Sequence, residues 1–421
     1  MLANTRRILF AAIALVFASW NFVAWIVNDP QEFGDTYRYF GSTVFDIQNP
    51  GFTPVLLYTT AKNPELVTFL QVAIYVVCWL LLAYAIATRS TWKKSGVALS
   101  IVVLIVSMTT PLWSWNMFLA SESLAIAFSA LWMASIVWLV HRRTTWSLFL
   151  TVIAGSNLII DRPQLAPLVV VVVAVSAMWF YRFSKRISVA GLGFLAILPA
   201  AFWGVARLFL LSSEAKYRYR YAIDNLMDKT PSFRAHALEN IGTCDPINAA
   251  INGPAPWDDM WKLKENLASV CPDAFLWLQS SKTGFTSWVA QVPATAAQNF
   301  FDVAITLHFY PYSAARAMPD VLSNVLMPDW ATWLIDLLYL VIGFVFAFAS
   351  GIRLRINVFG VVSTVVVLAT AALTAFAIWG ADGIEHERHL IPLTLLIPLA
   401  ALILPSTLSK PAQQPAQTLT T

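Results

Sequence analysis

Four short polar segments of this chain carry side chains suited to acid–base chemistry and to phosphate binding. They are GDTYRYF with Asp35, SES with Glu122, DRP with Asp161 and Arg162, and ERHLIPL with Arg388. A carboxylate beside a cavity can take a proton from an acceptor hydroxyl, and a planar guanidinium matches the oxygens of a phosphate. These residue types predict a site that joins a general base to phosphate-binding cations.

Each of these side chains also has a structural interpretation, and the sequence leaves both open. Asp35 suits the N-cap of a helix, a role that is compatible with that of a general base. Glu122 suits the first turn of a span, where it complements the helix dipole. Asp161 suits a cap, with Pro163 in the first turn of the next helix. Arg162 either forms an interfacial ion pair or anchor, or clamps a phosphate.

The segment GADGIEHERHLIPL concentrates charge directly before an apolar block. Glu385 and His389 are four residues apart and His386 and His389 are three apart, so a helix would bring them to one face, where a divalent cation could bind. The spacing matches no established zinc signature. A paired interfacial cluster and a phosphate-binding Arg388 beside a histidine are the alternatives, so the sequence leaves metal dependence open.

Further cations lie near the start of the longest polar segment. Arg207 falls near the end of an apolar block, where an arginine must find an anion or extend to the interface. Lys216 and Arg218 alternate with tyrosines in KYRYRY. Such a run either anchors to lipid headgroups or receives a lipid phosphate.

The elements that must position these side chains follow from the composition. Of the 421 residues, 58% are hydrophobic and 12% are charged, against about 25% charged in soluble domains, which excludes an ordinary soluble enzyme. Apolar blocks long enough to cross a bilayer as helices occur at residues 8–27, 67–88, 96–111, 122–140, 146–160, 164–181, 188–211, 331–350, 356–379 and 389–404. We therefore predict an all-α polytopic membrane protein with about ten spans and no nucleic-acid partner.

The basic residues orient these spans. Thirteen lysines and arginines fall in the short connections on one side and four on the other, which predicts that both termini are cytoplasmic. None of the 23 acidic residues falls in a cytoplasmic connection, so every loop carboxylate is expected to face outward. The site should then face outward too. The absence of an Asn-x-Ser/Thr sequon is consistent with a bacterial inner membrane.

The outward segment 212–330 is long, and we expect it to contain interfacial helices and a disulfide. Its stretch Trp288–Tyr310 is apolar but carries Gln291, Gln298, Asn299, Asp302 and His308, and a crossing there would move the next basic loop outward. We therefore predict a helix that lies in the interface or re-enters against protein. Cys244 and Cys271 suit a disulfide in an oxidising compartment. The expected organisation is a catalytic membrane module 1–211 with the first outward loop 28–66, the outward region 212–330, further spans in 331–409, and a disordered cytoplasmic tail 410–421.

An outward site has no ready access to cytosolic nucleotide sugars. An activated sugar donor would have to reside in the membrane, most simply as a polyprenyl-phosphate-linked sugar. Such a donor requires cations near the headgroup plane, and the acceptor hydroxyl requires a base. The outward loops contain both.

The layout resembles the GT-C superfamily of membrane glycosyltransferases. The resemblance is carried by an early aspartate in the first outward loop (GDTYRYF), SES opening a middle span, DRP at a later turn and ERHLIPL opening the last span. It implies that Asp35 is catalytic and that basic residues near the exterior surface bind the lipid phosphate. The chain has neither a WWD motif nor an adjacent acidic pair in the first loop, so a glycan, a lipid and a protein all stay open as acceptors. An aspartate acting directly as base predicts inversion at the sugar.

Two other functions are compatible with the sequence. A transporter or flippase for a lipid-linked sugar usually carries ionisable groups near the midplane, whereas here Arg207 and Asp336 lie toward the outward ends of their spans. A ligase or polymerase that uses a polyprenyl-diphosphate donor would suit the long outward loop.

Overall fold

The protein is described by a computed structural model whose described residues are mainly helical. It describes residues 2–32, 56, 59–60, 62–88, 93–142, 144–184, 197–199, 201, 204, 231–242, 244–263, 266–279, 288–305, 315–326, 332–349, 358–381, 393, 395–397 and 399–401. Within these ranges the β pairing is limited to an isolated parallel bridge between Gln31 and Phe118.

The helices fall into three groups along the chain. The first group is α1 (Leu2–Ile26), α2 (Pro64–Ala87), α3 (Lys93–Ser107), α4 (Thr110–Trp113), α5 (Glu122–Arg142), α6 (Thr145–Asp161) and α7 (Ala166–Ser184). The second is α8 (Pro231–Ile241), α9 (Asp245–Ile251), α10 (Pro256–Leu263), α11 (Leu267–Val270), α12 (Pro272–Gln279), α13 (Pro293–Ile305) and α14 (Asp320–Leu326). The third is α15 (Thr332–Ala349) and α16 (Val358–Ala381).

The described residues contain three helices long and apolar enough to cross a membrane. These are Ile8–Ile26, Pro64–Ala87 and Glu122–Val140, with a fourth if the bent pair Gly96–Ser107 and Thr110–Met117 is one span. Shorter apolar helices occupy Thr145–Asp161, Ala166–Arg182 and Thr364–Phe376. The fold is all-α and membrane-like, while the three or four spans are fewer than the ten expected from the sequence.

The apolar block 96–111 does not form the single straight span that the sequence predicts. Helix α3 ends at Ser107, and the chain continues as α4 after a bend of 64°. Pro111 lies in the first turn of α4 and has no backbone N–H, so it cannot continue α3 but suits a new helix start. The Ser107 and Thr109 hydroxyls donate to the carbonyls of Leu104 and Val106, both at 2.7 Å, which satisfies part of the broken ladder.

Two helix starts are fixed by their own side chains. The Asn63 side chain accepts from the Leu66 N–H at 3.1 Å and caps α2, whose first residue is a proline. Thr144 and Ser147 form a reciprocal capping box at the start of α6.

Helix α5 lies at the centre, with 78% of its apolar window buried against 17% for α1, so α1 is the peripheral helix.

A small helical unit outside the apolar helices forms around a disulfide. Cys244 and Cys271 are bonded, with their Cα atoms 6.1 Å apart. Helices α8 to α12 bury a shared core that includes Ile247, Met260 and Leu267. Gly242 ends α8 with a φ of +73°, a left-handed conformation that glycine adopts without a Cβ clash.

The described part of Trp288–Tyr310 is not one continuous span-length helix. A helical turn from Trp288 is followed by a bend at Val292 and then by the 13 residues of α13. Thirteen helical residues extend about 20 Å, short of the roughly 30 Å of hydrocarbon. Phe300 of α13 packs edge-on against Phe376 of α16, with ring centroids 5.3 Å apart. That this helix lies in the interface stays a prediction.

Gly155 allows α6 to approach α5 and α7 closely. A Cβ added there would lie 2.7 Å from Val169 Cγ1 and 3.0 Å from Trp132 Nε1, and both neighbours are buried. We expect Gly155→Ala to lower the thermal unfolding temperature in detergent. Overpacking typically costs about 1–3 kcal/mol, which exceeds the gain of up to about 1 kcal/mol in helix propensity.

Gly204 provides the matched control, because a Cβ added there meets no atom of the described residues within 4 Å. Gly204→Ala should leave the unfolding temperature unchanged or slightly raised. Equal stability of the two variants would show that α6 is not closely packed at Gly155.

Candidate functional site

The chain after α1 is tied to the loop between α4 and α5. The Gln31 N–H donates to the Met117 carbonyl at 2.7 Å, and the Leu119 N–H donates to the Gln31 carbonyl at 3.1 Å. These bonds make the parallel bridge between Gln31 and Phe118. The first connection therefore begins directly against the residues that lead into α5.

A buried ion pair joins the start of α5 to the end of α6. The Arg162 guanidinium contacts the Glu122 carboxylate, and the two residues are 5% and 1% exposed. Glu122 is the first residue of α5, where its charge is also favoured by the helix dipole. The sequence left two arrangements open for Arg162, an ion pair or anchor and a phosphate clamp. The structure shows Arg162 in an ion pair.

The backbone around Arg162 fixes the side chain at this point. Its N–H donates to the Leu158 carbonyl at 2.8 Å, which closes the last turn of α6, and its carbonyl accepts from the Leu165 N–H at 2.9 Å. Pro163 opens a short 3-10 helix immediately afterwards. The turn therefore leaves the Arg162 backbone hydrogen-bonded on both sides and its side chain directed to Glu122.

Buried amide side chains hold the loop between α4 and α5 in place. Ser123 Oγ donates to Asn116 Oδ1 at 2.6 Å, and Gln71 Nε2 donates to the Ala120 carbonyl at 3.2 Å. On the other side of the loop, Trp113 Nε1 donates to Asn21 Oδ1 at 2.9 Å. Helices α1 and α2 thus each contribute a polar side chain that supports the start of α5.

Residues 315–323 approach the same region from the far end of the long polar segment. The Arg316 N–H donates to Asn28 Oδ1 at 3.1 Å, and Trp20 Nε1 donates to the Ala317 carbonyl at 2.6 Å. The Thr110 N–H donates to Ser323 Oγ at 2.9 Å. We call the meeting point of residues 28–31, 109–123, 161–165 and 315–323 the loop junction.

The loop junction brings together some of the sequence-predicted residues. Glu122 and Arg162 are in contact, and Asp161 precedes Arg162 in the chain. The interpretation of Asp161 as the cap of a following helix is wrong, because it is the last residue of α6 and is buried. Its neighbour Arg162 takes the C-cap position instead.

The remaining predicted site residues lie outside the described part of the chain. They are Asp35, Arg207, Lys216, Arg218, Glu385, His386, Arg388 and His389. Among the described residues, no group of three or more His, Cys, Asp or Glu side chains could hold a metal ion. The candidate metal residues Glu385, His386 and His389 lie outside that part of the chain.

Sequence reasoning missed the amides that support the loop junction. Asn21 and Gln71 lie inside apolar helices and are fully buried. A polar side chain within a span is itself a signal, since it requires a partner inside the protein. Their roles as supports depend on partners distant in the chain, so the sequence alone could not assign them.

Chemically, the buried pair fixes a positive and a negative charge where three connections meet. Nε of Arg162 has no hydrogen-bond partner among the described residues, and the guanidinium contacts the Glu122 carboxylate. Removal of one partner would leave the other charged and buried, which typically costs about 3–5 kcal/mol. The pair therefore constrains how α5 and α6 meet.

We expect Glu122→Gln and Arg162→Met each to lower the unfolding temperature, and the double variant to recover part of the loss. The physical reason is that the double variant leaves no uncompensated charge in the interior. Thermal unfolding of the three variants in detergent gives the coupling between the two side chains. Additive losses would contradict a direct interaction.

An exposed ion pair serves as the control. Lys262 Nζ lies 3.6 Å from Asp259 Oδ1, and the lysine side chain is 78% exposed. Asp259→Asn should change stability by less than about 1 kcal/mol, since solvent screens surface pairs. If Asp259→Asn lowered stability as much as Glu122→Gln, burial would not explain the loss at Glu122.

No family model matches the chain, and no characterised protein and no solved structure matches it either. The resemblance to GT-C glycosyltransferases is carried by the motifs GDTYRYF, SES, DRP and ERHLIPL. It stays a prediction from those motifs.

Proposed function

We propose that this protein is a membrane glycosyltransferase of the GT-C type. It would transfer a sugar from a polyprenyl-phosphate donor to a glycan, lipid or protein acceptor on the outward face of a bacterial inner membrane. The full chain would have about ten spans and cytoplasmic termini. The proposal rests on the distribution of acidic residues, because every loop carboxylate falls on the outward side of the expected topology.

The contacts at the loop junction support this proposal. Gln31 is bonded to Met117 and Leu119, and Glu122 follows three residues later. Asp35 is four residues beyond Gln31, and four residues of extended chain span at most about 14 Å. A base in the first loop is therefore within reach of the start of α5, although the sequence separates the two by more than 80 residues.

In the proposed reaction Asp35 accepts the proton of the acceptor hydroxyl as the hydroxyl oxygen attacks the anomeric carbon. The bond from that carbon to the donor phosphate oxygen breaks, and the lipid phosphate leaves with the bonding electrons. One displacement inverts the anomeric configuration. Basic residues near the membrane surface stabilise the negative charge that develops on the phosphate, and the candidates are Arg162, Arg207, Lys216, Arg218 and Arg388.

Asp35→Asn should abolish sugar transfer while the protein still expresses and inserts. The amide keeps the size and hydrogen-bonding capacity of the side chain but cannot accept the proton. General-base catalysis typically contributes about 10²–10⁴-fold, so a loss of at least that order is expected. Transfer of a radiolabelled sugar from the lipid donor in membranes of known protein content measures it.

Asp29→Asn is the matched control, because Asp29 is an exposed carboxylate at the start of the same loop. Its turnover should match that of the unaltered protein. Near-normal turnover in Asp35→Asn would remove Asp35 as the base and with it the proposed mechanism.

A transporter or flippase for a lipid-linked sugar is the second candidate, and the interrupted span favours it. Discontinuous helices are typical of transporters, where they surround the substrate near the midplane. Here α3 and α4 are separated by a 64° bend, and the buried Glu122–Arg162 pair is the kind of internal charge that transporters retain.

Liposomes that contain the purified protein and a labelled polyprenyl-phosphate sugar separate the two candidates. Without an acceptor, a transferase should leave the label on the leaflet where it was placed. Protein-dependent movement of the label to the other leaflet would favour the transporter. Incorporation into a defined acceptor, with one sugar added, would favour the transferase over an oligosaccharide polymerase.

A further inference from the structure

The segment of residues 315–326 runs along the peripheral helix α1 toward the membrane interior. Arg316 is hydrogen-bonded to Asn28, just beyond the end of α1, while the next residue, Ala317, accepts from Trp20. Trp20 is six residues before the end of α1, about 9 Å along the helix axis. The segment therefore descends beside the last turns of a helix that is long and apolar enough to cross a membrane.

Helix α14 is held at that depth by the interrupted span. Ser323 Oγ accepts from the Thr110 N–H at 2.9 Å, and Thr110 is the first residue of α4 after the break. Asp320 pairs with Arg316, four residues earlier in the chain, and accepts from Thr110 Oγ1 at 3.5 Å. These bonds attach one side of α14 to the bundle.

The opposite side of α14 is apolar and uncovered. Val321, Leu322 and Val325 are 78%, 48% and 70% exposed, whereas Ser323 is 1% exposed. At about 100° per residue the three apolar side chains lie within an arc of about 100°, and Ser323 lies across the helix from Val321 and Val325. Within the described part of the chain, one face of the helix is thus bonded to the protein and the other is exposed.

Helix α1, to which residues 316 and 317 are hydrogen-bonded, also carries exposed apolar side chains. Val23, Ile26 and Val27, at the same end of α1, are 56%, 70% and 73% exposed. Only 17% of the apolar window of α1 is buried in the protein, as expected for a helix that faces lipid. An exposed apolar face on a segment that is hydrogen-bonded to such a helix is typical of a segment immersed in the bilayer.

We propose that α14 is a re-entrant helix in the leaflet at the C-terminal end of α1, where Val321, Leu322 and Val325 contact the acyl chains of bilayer lipids. Arg316 and Asp320, which are about half exposed, lie toward the headgroups. The segment then supports the break between α3 and α4 from the lipid side. This inference is independent of the proposed transferase activity, because it concerns the bilayer around the protein.

The test places a nitroxide spin label at Val325→Cys in the full-length protein in phosphatidylcholine vesicles. The free cysteine Cys78 is 4% exposed, so it should not compete for the label. Power saturation compares collisions with oxygen, which concentrates in lipid, and with a water-soluble nickel chelate. Leu15→Cys, exposed in the middle of α1, is the lipid reference, and Lys262→Cys, on the disulfide unit, is the water reference.

We expect the oxygen-to-nickel ratio at position 325 to be several-fold above that at position 262 and close to that at position 15. A ratio equal to that at 262 would place α14 in water and overturn the proposal. Low accessibility to both reagents would mean that protein, such as a second copy of the chain, covers the helix, and it would also overturn the proposal. Val321→Cys repeats the measurement if the Val325 variant does not fold.

Discussion

A polar group that is buried away from water must find its hydrogen-bond partners or counter-charge within the protein. The contact between Glu122 and Arg162 is the most demanding case in the described structure, because both residues carry formal charge and are almost fully buried. The pair connects the first residue of α5 to the residue that ends α6. Because neither charge can be left alone at low cost, the relative position of these two helix ends is fixed.

The same constraint explains how an interrupted span persists near the centre of the bundle. Between α3 and α4 the regular backbone ladder fails, and its groups need other partners. The Thr110 N–H donates to the hydroxyl of Ser323, and beyond α4 the carbonyl of Met117 and the N–H of Leu119 both bond to the backbone of Gln31. These partners come from distant parts of the chain, so the break draws the first connection and the end of the long segment to one place.

The sequence predicted the helices better than their ends and contacts. Helices α2 and α5 match apolar blocks because about 20 apolar residues have little choice but to form a helix in lipid. The break before Pro111 was not predicted. The residues around it are apolar, so a hydropathy profile shows no interruption there. The misplacement of Asp161 has a related cause, since the rules for caps do not tell whether a short turn ends one helix or begins the next.

Glu122 and Arg162 were selected from the sequence by residue type, but their pairing was not, because 40 residues separate them in the chain. The amide side chains of Asn21, Gln71 and Asn116 show the same limit of prediction from sequence. Each is an ordinary polar residue until the fold supplies its partner, a tryptophan, a carbonyl or a serine hydroxyl. Long-range polar pairing is a product of the packing, which local patterns do not contain.

The ion pair also bears on how charge would be divided within a phosphate-binding site. A guanidinium that already faces a buried carboxylate forms a pair with no net charge, so it contributes little attraction to a lipid phosphate at a distance. In the proposed transferase Arg162 would then mainly hold the loop junction in shape. The charge that stabilises the departing phosphate would then come from the other candidate cations, Arg207, Lys216, Arg218 and Arg388. This division separates the residue that positions the connections from the residues that bind the donor.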